Sequence, residues 1–205
     1  MTDTIYGTYA PILQHVMADL AAHIKSYNAA LKERTGEGAY EHFIYRIKTN
    51  DSMKEKCSRK GLPQTAQSAL WDIHDAIGLR IVCCFLQDIY TNIDQIKAIP
   101  GCRVIEEKDY IKHVKPNGYR SYHMIIELEV PYEDVKGNTP GHYFAEIQLR
   151  TIAMDSWASL EHQMKYKHDI KNPELIVREL KRCADELASC DVSMQTIRNL
   201  IHADH

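Results

Sequence analysis

The sequence has no run of about 18 consecutive apolar residues, the length a membrane-crossing helix needs. Its opening stretch, MTDTIYGTYAP, has neither the basic start nor the apolar centre of an export signal. Both absences predict a cytoplasmic chain with no membrane partner. Positive charge is also not in excess: 25 Lys and Arg stand against 28 Asp and Glu, a formal net charge of -3. A surface that grips nucleic acid throughout is therefore excluded, a stable nucleic-acid partner is not expected, and any phosphate binding must be local. The six cysteines (57, 83, 84, 102, 183 and 190) contain no Cys-x-x-Cys pair and no metal-ligand spacing, so they read as reduced thiols rather than staples or a zinc site. Repeats, low-complexity tracts and long Pro/Gly linkers are missing as well, and 205 residues at 44% hydrophobic composition suffice for one well-buried core.

Periodicity supplies the outline. Leu13, Met17, Leu20, Ile24, Tyr27 and Leu31 form one helical stripe, predicting a helix over 9–34 that ends in Thr35-Gly36-Glu37-Gly38. Near the other end Ile176, Leu180, Cys183, Leu187, Cys190, Met194, Ile197 and Ile201 alternate spacings of four and three, predicting a helix over 173–202. Such a seam either packs on its own domain or pairs with another subunit. Between the two helices, over 40–168, strand-like runs at 43–49, 77–85, 102–106, 121–130 and 143–151 alternate with helical patterns near 52–60, 88–98 and 155–167. An irregular loop is expected at 131–142. The fold class is α/β, more strictly α+β: a mixed five-stranded sheet flanked by helices, in a single domain.

Three places carry chemistry. In Phe43-Ile44-Tyr45-Arg46-Ile47-Lys48, period two sends Arg46 and Lys48 out on one face. The helix that follows brings Lys56, Arg59 and Lys60 towards the face of Ser52. Over 46–60, six Lys or Arg against Asp51 and Glu55 leave a local +4, suited to a polyphosphate. The plainer readings are a solvated helix face for the lysines and a capping box, Ser52-x-x-Glu55, for the serine.

The second place is a pair of acids. Asp75 enters the apolar run Ile77–Phe85, in which Arg80 is embedded and needs a partner. Far along the chain Glu146, Gln148 and Arg150 share one face of a core strand. Two carboxylates on neighbouring strands repel unless a cation joins them, and Mg2+ takes carboxylate and phosphate oxygens. Taken singly, Asp75 could cap a turn and Glu146 could pair with Arg80 or Arg150. The third place is a cationic loop around Pro116-Asn117-Gly118, offering Tyr119 among Lys112, Lys115, Arg120 and His123. Ring and cations together suit a base and its phosphates; otherwise the segment is a polar hairpin.

In this order the elements resemble the synthetase domain of the RelA/SpoT family and, in overall length, its small alarmone synthetases. The most specific pieces are Lys112-x-x-Lys115-x-x-Gly118-Tyr119-Arg120-Ser121-x-His123, Glu146-Ile147-Gln148-Leu149-Arg150-Thr151 and Met154-Asp155-x-Trp157-Ala158-x-x-Glu161-His162. The resemblance implies a nucleotidyltransferase-like fold, a homo-oligomer (a tetramer in relatives), and Mg2+-dependent transfer of pyrophosphate from ATP to the 3′-hydroxyl of GDP or GTP, releasing AMP. It implies that Arg46 and Arg80 sandwich adenine and that Lys48, Ser52, Lys56 and Arg59 hold the ATP phosphates. Asp75 and Glu146 would bind Mg2+, Glu146 also activating the hydroxyl. Tyr119 would stack on guanine, with Lys112, Lys115, Arg120, His123 and Gln148 around the acceptor. His74-Asp75 and His168-Asp169 look like the dyads of the alarmone hydrolase, but that activity needs a separate upstream domain, which is not expected here. Rival expectations are a toxic relative that modifies tRNA 3′ ends or makes an adenine alarmone, and an inactive nucleotide- or RNA-binding regulator.

Overall fold

The computed structural model describes residues 4–165 and 172–203; His168-Asp169 lies outside them. Strands β1 (His42–Ile47), β2 (Ile77–Cys83), β3 (Cys102–Asp109), β4 (Tyr122–Val130) and β5 (Gly141–Thr151) form one mixed sheet in the order β1-β2-β5-β4-β3. All neighbours are antiparallel except β2 and β5, which run parallel at its centre. Helices α1 (Ala10–Thr35), α2 (Asn50–Arg59), α3 (Leu86–Lys97), α4 (Ile152–Lys165) and α5 (Pro173–Ala203) surround it.

Alternation along the strands creates two unlike faces. Leu79 and Ile81 of β2, Ile147 and Leu149 of β5, and Met124 and Ile126 of β4 join Leu13, Val16, Leu20 and Ile24 of α1 and Ile89, Ile93 and Ile96 of α3 in one buried core. Burying each such side chain contributes about 1.5–3 kcal/mol, which fixes the register: a slip by one residue would turn the whole apolar set outward. The opposite face presents Arg46, Arg80, Glu146, Gln148 and His123, brought side by side by the pairings Arg46↔Gly78↔Glu146 and Arg80↔Gln148↔His123.

Several expectations shift in detail. Edge strand β3 runs on to Asp109, past the predicted 106; its outer half is exposed and polar, so no apolar alternation announces it. β5 begins at Gly141, because Asp134 ties up much of the predicted loop by accepting from the backbone N–H groups of Lys136, Asn138 and His142 and from the Asn138 amide. A π-helical turn at Ser68–Asp72, which the sequence pattern does not suggest, buries Ser68, Ala69 and Leu70 and delivers Asp75 to the start of β2.

The C-terminal helix departs most. Its first half docks as expected, with Ala184 buried and the Leu180 carbonyl accepting from the Trp157 indole. Beyond that the seam turns over. Asp191, Gln195 and Arg198 face the fold, bonded to Thr151, to the Gln87 N–H, and to Asp88 and Glu37. Met194, Ile197 and Ile201, predicted as one stripe with Leu180 and Leu187, are instead more than half exposed. A polar contact face on this half defeats the hydrophobic reading of its period.

Candidate active site

The polar face of the sheet opens into a cleft of about 400 Å3 lined by Ile44, Arg46, Lys48, Asp75, Gly78, Leu79, Arg80, Glu146 and Gln148. Gly78 sits between Arg46 and Glu146 in register and leaves the floor open there. Six residues the sequence nominates from distant segments thus line a single cleft.

Asp75 anchors one side of it. Its Oδ2 accepts from Lys48 Nζ at 2.5 Å and also from Lys56 Nζ. Burial works to raise this carboxyl, but the two lysines outweigh it and hold it below the usual carboxylate range. Its other oxygen, Oδ1, is buried with no partner among the described residues, although an orphaned buried acceptor costs about 1–3 kcal/mol. The plainer reading of Asp75 as a turn cap is not what the structure shows. Nor does Ser52 start the helix: Thr49 is the N-cap, its hydroxyl accepting from the Ser52 N–H and donating to Ser52 Oγ. Ser52 and Arg59 are exposed on α2, where Lys56 is half-buried, and Arg46 is exposed on β1. Among the described residues, Arg46 and Arg59 make no hydrogen bond or ion pair.

Glu146 does not pair with Arg80 or Arg150. Its Oε1 lies 3.4 Å from His123 Nδ1, and the hydrogen bond from His123 is the main influence holding Glu146 below the usual range, against the opposing effects of burial and Asp75. The other imidazole nitrogen, Nε2, is 2.8 Å from Tyr119 Oη, which accepts from Arg150 Nη2 at 2.7 Å. A guanidinium only donates and an ionised carboxylate only accepts, so with a neutral imidazole protons point one way along this chain: Arg150 to Tyr119, Tyr119 to His123, His123 to Glu146. Arg150, 6% exposed, also donates to Gln148 Oε1, Ser121 Oγ and Asp155 Oδ1. Asp155, in the first turn of α4, is the partner of Arg80 as well, at 3.4 Å. Neither Arg150 nor Asp155 is among the nominated site residues, though both stand inside the quoted motifs.

The loop before β4 is arranged less uniformly. Lys115 Nζ lies over the rings of Tyr110 and Tyr119, at 4.3 and 5.2 Å, while Lys112 is exposed and sits beside Asp109 and the Tyr90 ring. Arg120 is not brought into the cleft: its guanidinium points to α5, donating to the carbonyls of Gly118 and Ala184 and to Asp185. Gly118 explains why the loop lies so close. It has φ +90°, and a Cβ there would meet the Ala184 Cβ at 2.7 Å. His74 is no metal dyad either; it stacks on Phe144 at 4.1 Å and bonds the Trp71 carbonyl.

Among the described residues no group of three or more His, Cys, Asp or Glu side chains forms a ready metal cage. The two carboxylates, one with an unpaired buried oxygen, fit a hard cation that completes its shell with phosphate oxygens.

This arrangement has counterparts. Residues 45–171 match the region found in RelA / SpoT proteins. The chain is 41% identical over 163 residues to the GTP pyrophosphokinase YwaC of Bacillus subtilis (strain 168), covering 80% of this chain and 76% of that protein. Its fold superposes on the small alarmone synthetase 1 of Bacillus subtilis bound to its product pppGpp, with a TM-score of 0.78 and 30% identity over 94% of this chain and 95% of that one. It also superposes on the same synthetase bound to AMPCPP, with a TM-score of 0.73 and 28% identity over 95% and 96% of the two chains. With its own cleft, its motifs and these relatives in agreement, the chain belongs to the RelA/SpoT family, among the small alarmone synthetases.

Proposed function

We propose that this protein synthesises (p)ppGpp, transferring pyrophosphate from ATP to the ribose 3′-hydroxyl of GDP or GTP. The observation that carries the reading is the single cleft in which Arg46, Lys48 and Arg80 meet Asp75, Glu146 and Gln148. In the reaction the 3′-oxygen forms a bond to the β-phosphorus of ATP, the bond from that phosphorus to the α,β-bridging oxygen breaks, and AMP leaves. Phosphoryl chemistry of this kind is catalysed chiefly by positioning and charge neutralisation.

Arg46 and Arg80 offer guanidinium planes to adenine, a surface on which bases stack well. Lys48, Lys56, Ser52 and Arg59 receive the phosphates; when ATP arrives, the two lysines exchange part of their bond to Asp75 for phosphate oxygens. Asp75 and Glu146 would hold Mg2+, which supplies charge neutralisation on the transferring phosphates. Glu146 accepts the proton of the 3′-hydroxyl, and the donor chain from Arg150 through Tyr119 and His123 keeps its carboxylate ionised and aimed. Tyr119 supplies the ring for guanine, with His123, Gln148, Lys112 and Lys115 near the acceptor. The reading places the enzyme in the cytoplasm, where these nucleotides are, and the outward apolar residues of α5 support self-association, a tetramer being the expected state.

Incubation of the purified chain with ATP, Mg2+ and GDP or GTP should yield AMP and ppGpp or pppGpp on anion-exchange chromatography. An absence of any guanosine product with GMP, GDP and GTP alike would sink the reading, and an adenosine product would redirect it.

A further inference from the structure

The transfer reading leaves Asp155 without a task, yet its position is unusual. It stands in the first turn of α4, directly after β5, and a single oxygen, Oδ1, faces two guanidiniums: Arg150 Nη1 at 3.0 Å and Arg80 Nη1 at 3.4 Å. The two arginines serve different halves of the site. Arg80 lines the cleft beside Arg46. Arg150 is buried behind the loop, where it holds the Tyr119 hydroxyl at 2.7 Å and Gln148 Oε1 at 3.2 Å.

Neither arginine has an equal alternative. Arg80 Nε is buried with no partner, so among the described residues the shared oxygen is Arg80's one ionic anchor. Arg150 meets no other carboxylate there; its remaining bonds go to Ser121, Tyr119 and Gln148, all neutral groups. Two cations on one acceptor atom compete for it, and they repel each other besides. A ligand that neutralises Arg80, or draws it onto a base, removes one competitor. The full charge of Asp155 then falls to Arg150, which is held harder against Tyr119 and Gln148. Linkage makes the effect mutual: a group that stabilises Arg150 and Tyr119 also frees Arg80.

We propose that Asp155 is a positioning residue that couples the two nucleotide subsites, so that an adenine nucleotide at Arg80 strengthens the binding of a guanine nucleotide at Tyr119 through Arg150. The inference rests on the assignment of Arg80 to the donor and Tyr119 to the acceptor. It goes beyond that assignment in naming the residue through which each site senses the other.

The test is calorimetric titration of GDP into the full chain with Mg2+, with and without saturating AMPCPP. The wild-type GDP dissociation constant should fall at least about 5-fold when AMPCPP is present, the lower end of ordinary site-to-site coupling. In Asp155→Asn, which keeps the shape and loses the charge, GDP should still bind but the ratio should collapse towards one. Tyr119→Phe keeps the ring and deletes the hydroxyl Arg150 holds, so it should lose the coupling too. A merely structural role for Asp155 would weaken both titrations and leave their ratio alone. A wild-type ratio near one, or a wild-type ratio surviving in Asp155→Asn, overturns the proposal. Should Asp155→Asn fail to fold, Tyr119→Phe decides, and an unchanged ratio there overturns it. If GDP or AMPCPP does not bind the wild-type chain at all, the transfer reading itself falls and this inference with it.

Discussion

On the β1–α2 side of the cleft, Arg46, Ser52 and Arg59 are exposed, and Lys48 and Lys56 converge on one oxygen of Asp75. On the β4 side the polar groups are spent on one another: Tyr119, both nitrogens of His123, Glu146 and Gln148 all belong to one hydrogen-bonded chain that starts at Arg150. On the proposed reading the β1–α2 side is the donor half, with cations at hand for a polyanion whose arrival relieves their mutual repulsion. The other, proposed as the acceptor half, holds its ring by a hydroxyl and would exchange internal bonds for a nucleotide. Anion binding needs available charge, whereas recognition of a base and aim at one hydroxyl need fixed geometry.

The sharpest way to break this contrast is Glu146→Gln, which removes the proton acceptor and one of the two carboxylates for Mg2+ but leaves the cations of the donor half in place. Turnover should fall by about a thousandfold, while AMPCPP titrated by calorimetry without Mg2+ binds with an affinity close to wild type. A large loss of AMPCPP binding would show that the halves are not separable. Next come paired deletions. Tyr119→Ala should raise the KM for GDP or GTP by about 5- to 150-fold, the worth of one base stacked on an aromatic ring, with a smaller rise in the KM for ATP, set by the coupling through Asp155. Arg46→Ala should do the reverse on a smaller scale. Initial-rate kinetics with each substrate varied in turn would expose any crossing of these effects.

A smaller effect concerns pH. Both site carboxyls are held below the usual range, so their stabilising contribution is complete above the ordinary carboxylate pKa, about 4. It is lost as pH falls through their lowered folded-state values. Thermal melts should therefore show an acid limb below about pH 4 that is shallower in Asp75→Asn. A limb unchanged in that variant would mean Lys48 and Lys56 do not stabilise the charged form. The smallest effect on the monomer belongs to Ile197→Glu, on the outward side of α5. As a surface change it should alter stability by no more than about 0.5 kcal/mol, yet lower the mass seen by light scattering. An unchanged mass would remove that face from any assembly.

Where a residue's environment follows from strand alternation, the sequence was a sound guide. All five strands, the apolar stripe of α1 and the shared polar face of Glu146, Gln148 and Arg150 were legible because a half-buried strand or helix prints its period. The partners of polar groups were not. Nothing in period two says that Arg80 and Arg150 meet Asp155 rather than Glu146, because that pairing depends on how the first turn of α4 folds back. The direction of Arg120 was hidden for a related reason: its place in a motif names the loop but not where the side chain points, which α5 sets. The inverted face of α5 was hidden because Asp191, Gln195 and Arg198 interrupt no apolar count while making the actual contacts.

The parallel pairing of β2 with β5 has a consequence for how the enzyme comes into being. Ile77 lies beside Ala145, so Asp75 and Glu146 become neighbours only when two strands far apart in the sequence have paired. Pairings that span so much sequence form late and slowly. A nascent or half-melted chain would hold at most the cations of β1 and α2, able to detain a nucleotide but not to consume it. Activity then waits on the closing of the sheet between β2 and β5.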